Sequence, residues 1–200
     1  MNWIRKINRG LVLTLLILIG IVVYLSWLGA SRRDDLPVLR EKAAAYLEAE
    51  LVWSQLPEAY RTAKPVMPAA ELEAFADAQA EIVEGWYIDH DAIVDPLIGR
   101  MREDLAKQAA GQDVFLSYTK EILKYEDILF DADRATVTLT VRTRLEVAGR
   151  QGIYAEDMAD TVIFQKEGGV WQVVYAQLNK PTAWQYEKEE YGGVPAPGYK

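Results

Sequence analysis

The residues best suited to chemistry in this sequence surround its one histidine. His90 lies between Asp89 and Asp91, and Tyr87 stands a few positions earlier. A histidine oriented by a carboxylate, with a tyrosine as hydrogen-bond donor, can move protons near neutral pH. The same residue types in a polar turn before a helix are more often solvent-exposed. The candidate catalytic residues are therefore His90, Asp89, Asp91 and Tyr87, while the sequence as a whole favours a protein that is not an enzyme.

Other kinds of active site find little support in the sequence. The chain has no cysteine, which excludes disulfides, thiolate metal sites and cysteine nucleophiles. Asp89, Asp91 and Asp95 carry oxygen ligands suited to Ca²⁺, but the glycine and closing glutamate of an EF-hand loop do not follow. Neither a Gly-x-Ser-x-Gly elbow nor a phosphate-binding glycine loop is present. We therefore expect no metal and no cofactor.

The charge of the chain argues against one class of partner. Asp and Glu number 30 against 22 Lys and Arg, and the formal net charge is −8. An acidic protein is repelled by the phosphates of nucleic acids. We therefore expect no nucleic-acid partner.

The most apolar segment of the chain is residues 10–31, which carries no charged side chain. About 20 apolar residues in a helix span the hydrocarbon core of a bilayer, whereas the apolar part of a cleavable signal is about 7–15 residues long. Trp3 before the segment, and Tyr24 and Trp27 near its end, suit the two headgroup regions. The segment predicts a transmembrane helix and a bilayer as partner.

A secreted protein, cleaved after Ala30, is an alternative, although Leu28 is a poor residue for the position three before the cut. The orientation of a retained helix follows from the flanking basic residues, which favour the cytoplasm. Three of them precede the segment and two follow it, namely Arg5, Lys6 and Arg9, then Arg32 and Arg33. This predicts a single-pass protein of the cell membrane, with residues 1–9 cytoplasmic and the C-terminal domain extracytoplasmic.

Residues 32–68 are predicted as a juxtamembrane helix and a proline-rich linker. Asp34 and Asp35 before Pro37 are typical of a helix start. The helix that follows either holds the domain away from the bilayer or packs on its flank. Pro57 and the two prolines within residues 64–68 end it.

Two further helices precede a change of hydrophobic period. Apolar residues recur at helical spacing over residues 69–86, and Asp95 followed by Pro96 begins another helix that ends near Ala109. After Gln112 the apolar residues alternate with a period of two, which is typical of half-buried strands.

Four strands are expected, joined by short turns, over residues 117–130, 135–147, 154–165 and 170–178. Short turns require antiparallel pairing, so the sequence predicts an α+β domain with a four-stranded antiparallel meander. In the second strand Val137, Leu139, Val141, Leu145 and Val147 share the inner face. We expect charged residues to pair across the solvated face, namely Arg142, Arg144, Glu156, Asp157 and Asp160.

The order of these elements and the text of the last strands resemble the nuclear-transport-factor-2-like superfamily. The lines that carry the likeness are YEDILFDADRATVTLTVRTRLEV and DTVIFQKEGGVWQVVYAQL, within residues 69–178. The resemblance implies a cone of helices lying on a curved sheet, in a superfamily that includes isomerases, dehydratases, scaffolds and transport factors. With its N-terminal span, the topology is similar to that of assembly factors of bacterial type IV secretion and conjugation machines, and to cone domains on Gram-positive cell-wall proteins.

The aromatic residues of the chain could either fill the core or line a pocket at the open end of such a cone. The set that could line the pocket is Trp86, Tyr118, Tyr125, Phe164, Trp171 and Tyr175. Filling of the space between helices and sheet is the more common role of such residues. Residues 179–200 are rich in proline, glycine and charge, which predicts a flexible tail, although its aromatic residues could also dock.

These patterns favour a membrane-anchored extracytoplasmic scaffold that binds a protein partner, or itself, at the cell envelope. The first alternative is a cone domain that binds a small molecule or acts as an isomerase or dehydratase, using His90 with Asp89 or Asp91. The second is the secreted binding protein described above.

Overall fold

The computed structural model describes residues 9–88 and 90–184; the side chains of residues 9–12, 27, 28, 31, 90 and 91 lie outside the description. The chain forms two compact units, Met1–Leu39 and Arg40–Lys200. The second unit therefore begins within the segment that the sequence assigned to a juxtamembrane helix and linker. The residues from Arg40 onward belong to the second unit because one face of their helix is buried, at Ala43, Tyr46 and Leu47.

Helix α1 runs without a break from Arg9 to Trp53 and contains Pro37. The predicted helix start at Asp34 and Asp35 is therefore wrong. A proline removes only one backbone N–H, and the helix on each side of Pro37 is long enough to keep its own hydrogen-bonded turns.

The first unit presents apolar side chains to its surroundings. Every large apolar side chain described from Leu13 to Leu25 is exposed, by 48% to 62%. In the part of the chain that the structure describes, no helix has a stretch both long and apolar enough to cross a membrane.

The second unit adds two α-helices after a short 3₁₀ turn at Glu58–Tyr60. Helix α2, Ala69–Trp86, begins directly after Pro68 and buries Ala76, Gln79, Ala80 and Val83. Helix α3, Asp95–Ala109, has a proline in its first turn, as the sequence predicted. One feature had no signal in the sequence: a π-helical turn, His90–Val94, that leads directly into α3.

The four predicted strands are confirmed. They are β1, Phe115–Asp131, β2, Arg134–Val147, β3, Ile153–Glu167, and β4, Val170–Gln177. They form one antiparallel sheet in the order β1-β2-β3-β4. The tight turns use positive φ angles, at Ala132 between β1 and β2 and at Gly168 and Gly169 between β3 and β4. The α+β class is thus confirmed.

The two edges of the sheet differ. At β4, Tyr87 forms an isolated parallel bridge with Val173, and Ile88 N donates to the carbonyl of Val173. At β1, the register against β2 shifts three times, between Phe115 and Ser117, between Ile122 and Lys124, and between Tyr125 and Asp127. The core lies on the inner face of β2, where the predicted apolar residues are all buried, together with Phe164, Trp171 and Val173 from the neighbouring strands.

A buried ion pair joins β1 to β3. Lys120 Nζ lies 2.7 Å from Asp160 Oδ2, and neither side chain is exposed. The prediction of a solvated Asp160 is therefore wrong, because the residue shares the inward parity of Val162 and Phe164 and sits opposite Leu139. The second carboxylate oxygen accepts a hydrogen bond from Asn179 N at 2.8 Å.

The predicted cross-strand pairing holds for one pair on the outer face. Arg142 donates two hydrogen bonds to the carboxylate of Asp157, at 2.7 and 2.9 Å. These bonds lower the pKa of Asp157, and the charge of Arg144 adds to the effect. Glu156 instead accepts hydrogen bonds from the backbone and side chain of Thr182.

The start of the predicted flexible tail is packed on the domain. Trp184 is buried, with ring centroids 6.1 Å from Phe115 and 6.0 Å from Tyr154, and the guanidinium of Arg150 lies 4.9 Å from its ring. Residues 179–184 therefore belong to the folded unit, because burying an indole offsets the cost of ordering the chain. Residues 185–200, with Tyr186, Tyr191 and Tyr199, lie outside the described residues.

Breaking the buried pair should destabilise the fold far more than breaking the exposed one. Lys120→Met leaves the buried Asp160 carboxylate without its cation, and we expect a loss of about 3–5 kcal/mol in the free energy of unfolding. Arg142→Met is the matched control, and its loss should be much smaller because solvent screens that pair. Urea unfolding followed by circular dichroism measures both.

Adding Asp160→Asn to Lys120→Met removes the remaining buried charge while keeping an acceptor for Asn179. We expect this double variant to recover most of the lost stability. Equal losses for Lys120→Met and Arg142→Met would show that the buried pair has no special role.

Candidate functional site

A cleft of about 310 Å³ opens in the second unit beside α1, α3 and the end of β4. Its volume lies at the lower end of the range for sites that bind small molecules. Its wall consists of Tyr46, Glu50, Trp53, Ser54, Tyr87, Leu97, Arg100, Met101, Asp104, Ala176, Leu178 and Lys180.

Helical and strand periodicity bring these residues to one place. Positions 46, 50, 53 and 54 share one face of α1 and its end, and positions 97, 100, 101 and 104 share one face of α3. Gln108 holds the two helices together, because its Nε2 donates to the carbonyl of Ser54 at 3.0 Å. Ala176 near the end of β4, and Leu178 and Lys180 after it, complete the wall.

Glu50 is the most unusual group in the wall. Its Oε1 accepts hydrogen bonds from Ser54 Oγ at 2.8 Å and from Tyr118 OH at 3.4 Å. Its Oε2 is buried and, among the residues that the structure describes, has no hydrogen-bond partner. A buried carboxylate oxygen without a donor is costly, so the Glu50 carboxylate keeps an unused capacity to accept hydrogen bonds.

Three tyrosines, Tyr46, Tyr87 and Tyr118, lie near this carboxylate. The hydroxyls of Tyr46 and Tyr87 lie 2.5 Å apart, and the Tyr46 ring packs edge-on against Trp53 and Trp86, with centroids 5.7 and 5.5 Å away. Burial raises the pKa of Tyr46 far above its ordinary value of 10.0, and the neighbouring Tyr87 and Glu50 raise it further. Burial followed by the charge of Glu50 also raises the pKa of Tyr118.

Two opposing effects act on the pKa of the Tyr87 hydroxyl. Burial raises its pKa, while its hydrogen bond with Tyr46 lowers it. The net shift is upward, so all three phenols near Glu50 stay protonated at neutral pH and act as hydrogen-bonding groups rather than as anions.

Both signs of charge occur on the other parts of the wall. Arg100 and Asp104 are exposed on α3. The ammonium of Lys180 lies 4.8 Å from the ring centroid of Phe115 and 5.6 Å from that of Tyr118. The cleft thus combines a partly satisfied carboxylate, an aromatic wall and exposed charges.

Of the predicted catalytic residues, the structure places Tyr87 in this cleft. Asp89 lies outside the described residues, and so do the side chains of His90 and Asp91. Catalysis by His90 with Asp89 or Asp91 stays a prediction. Among the residues described, no three His, Cys, Asp or Glu side chains are grouped closely enough to hold a metal ion.

The six aromatic residues proposed for a pocket do not line this cleft. Phe164 and Trp171 are buried in the core, and Tyr118 is buried with its hydroxyl on Glu50. The other three are only partly buried or are exposed: Trp86 against Tyr46, Tyr125 donating to the carbonyl of Arg40, and Tyr175 on the surface. The wall instead uses Tyr46, Glu50 and Trp53, whose helical spacing was visible but lay in the predicted juxtamembrane segment.

The raised pKa of Tyr46 predicts a loss of stability in alkali. Below pH 10 the phenol is neutral in both states, but above it the unfolded chain releases the proton while the folded protein retains it. Stability should therefore fall as pH rises above 10, and Tyr46→Phe should make the fall shallower, because Phe has no proton to release. Urea midpoints between about pH 8 and 11 test this; identical slopes in the two proteins would contradict it.

Comparison with known proteins identifies no relative of this chain: no family model matches its sequence, and neither a curated protein nor a solved structure does. The likeness to the nuclear-transport-factor-2-like superfamily accordingly stays a prediction.

Proposed function

We propose that this chain is a single-pass membrane protein whose extracytoplasmic α+β unit is a binding domain. The observation that carries the proposal is the run of exposed apolar side chains from Leu13 to Leu25. In water such a helix would leave its apolar surface hydrated on all sides, whereas in a bilayer this surface contacts lipid. The uncharged segment 10–31 extends past this run, into residues whose side chains lie outside the description.

The proposed orientation and partners come from the sequence. Arg5, Lys6 and Arg9 before the segment favour a cytoplasmic N-terminus over the reverse topology. The acidic unit then lies outside the cytoplasm, where it binds a protein partner or a second copy at the cell envelope. The helices followed by a four-stranded meander support a nuclear-transport-factor-2-like cone as the detailed fold.

The cleft favours a second candidate function, the binding of a small molecule. Its volume, its aromatic residues Tyr46 and Trp53, and its carboxylate Glu50 are features of ligand sites rather than of flat protein-binding surfaces. The two functions are compatible, because an anchored domain can also carry a ligand site.

Membrane extraction tests the anchor. In bacterial membranes the full chain should stay in the pellet after an alkaline carbonate wash. Leu16→Arg combined with Ile19→Arg should shift it to the supernatant, because charges near a bilayer centre oppose insertion. Val66→Arg, at a highly exposed position of the second unit, is the matched control and should not shift it. Release of the unaltered chain by carbonate would reject the anchor.

Protease accessibility tests the orientation. When protease is added to intact spheroplasts, the second unit should be degraded while a cytosolic control protein survives. Protection of the second unit until the membrane is permeabilised would invert the proposed topology.

A further inference from the structure

From the geometry of the cleft we infer that it binds a small molecule carrying a protonated amine beside an apolar or aromatic body, with the amine donating to Glu50. The inference rests on the second candidate function above and names the class of ligand. It goes beyond that proposal because it assigns the Glu50 carboxylate, which lines the cleft, as the recognition group.

The first step of the argument is the unequal state of the two carboxylate oxygens. Oε1 has two donors, Ser54 Oγ and Tyr118 OH, whereas Oε2 is buried with none among the described residues. An ammonium beside this carboxylate offers several N–H donors and a positive charge, so it compensates the charge of a group whose capacity to accept hydrogen bonds is only partly used.

The second step is the surrounding wall. The buried rings of Tyr46 and Trp53 form the aromatic floor of the cleft, and Leu97 and Met101 line it from the facing helix. Ammonium groups are also attracted to aromatic faces, and an apolar body gains from leaving water. A hydrophilic cation without such a body would leave this surface unused.

The third step argues against an anionic ligand. A carboxylate ligand near Glu50 would be repelled, and it would need the wall cations, Arg100 and Lys180. Lys180 already lies over the rings of Phe115 and Tyr118. The carboxylate therefore directs selection toward amines.

Three probes that differ in one group test this selection. Tyramine, the alcohol tyrosol and 3-(4-hydroxyphenyl)propanoate share a phenol ring and differ in the charge of the second group. Calorimetric titration of the full chain in detergent micelles should show tyramine binding at least about tenfold tighter than either analogue, the difference expected for one charged hydrogen bond.

A variant pair identifies the group responsible. Glu50→Gln keeps the size of the side chain and an acceptor for Ser54, and it should lower tyramine affinity about tenfold or more while leaving tyrosol binding unchanged. Glu48→Gln, exposed on the same helix, is the matched control and should leave all three affinities unchanged. The probe comparison on the unaltered chain needs no variant, so poor folding of Glu50→Gln would not prevent the test.

The contrary results are distinct. Equal binding of tyramine and tyrosol would overturn the amine inference while leaving small-molecule binding intact. Tighter binding of the propanoate would overturn it in favour of an anion site at Arg100 and Lys180. No binding of any probe at millimolar concentration would overturn it and remove the support for the second candidate function, without touching the membrane anchor.

Discussion

The ion pair between Lys120 and Asp160 is the interaction on which both sheet and cleft depend. It joins β1 to β3 across the intervening β2, with both side chains removed from solvent. Asp160 also accepts a hydrogen bond from Asn179 N, which fixes the chain between Leu178 and Lys180. Because these two residues line the cleft, the same carboxylate organises the interior of the sheet and part of the binding surface.

The sequence predicts the secondary structure well, because local pattern determines it. Alternating residues such as Val137 and Leu139 define the buried face of β2, and the polar turns between strands force antiparallel pairing. Helix α2 begins after Pro68 and α3 carries a proline in its first turn, both local signals. Local pattern failed at Pro37, because a proline marks a helix start in one context and lies inside a long helix in another.

Tertiary placement was harder to predict because it depends on contacts between distant residues. The wall of the cleft comes from α1, α3 and the end of β4. No pattern in the sequence predicts that Tyr118 donates a hydrogen bond to Glu50. Asp160 looked like a surface residue by type, although its strand parity pointed inward. The alternation of residues along β3 indicated that Asp160 is buried, whereas its charge suggested an exposed position. Trp184 shows the same conflict, because a segment polar in composition contains one side chain large enough to order it.

The two edges of the sheet affect how copies of this domain can associate. Unpaired strand edges are templates for intermolecular β-sheet growth and, ultimately, for fibrils. Here the bridge from Tyr87 occupies part of one edge at Val173, and on the opposite side three register shifts and charges such as Lys124 and Asp127 interrupt the template. Polymerisation by strand addition is thereby disfavoured at both edges of the sheet.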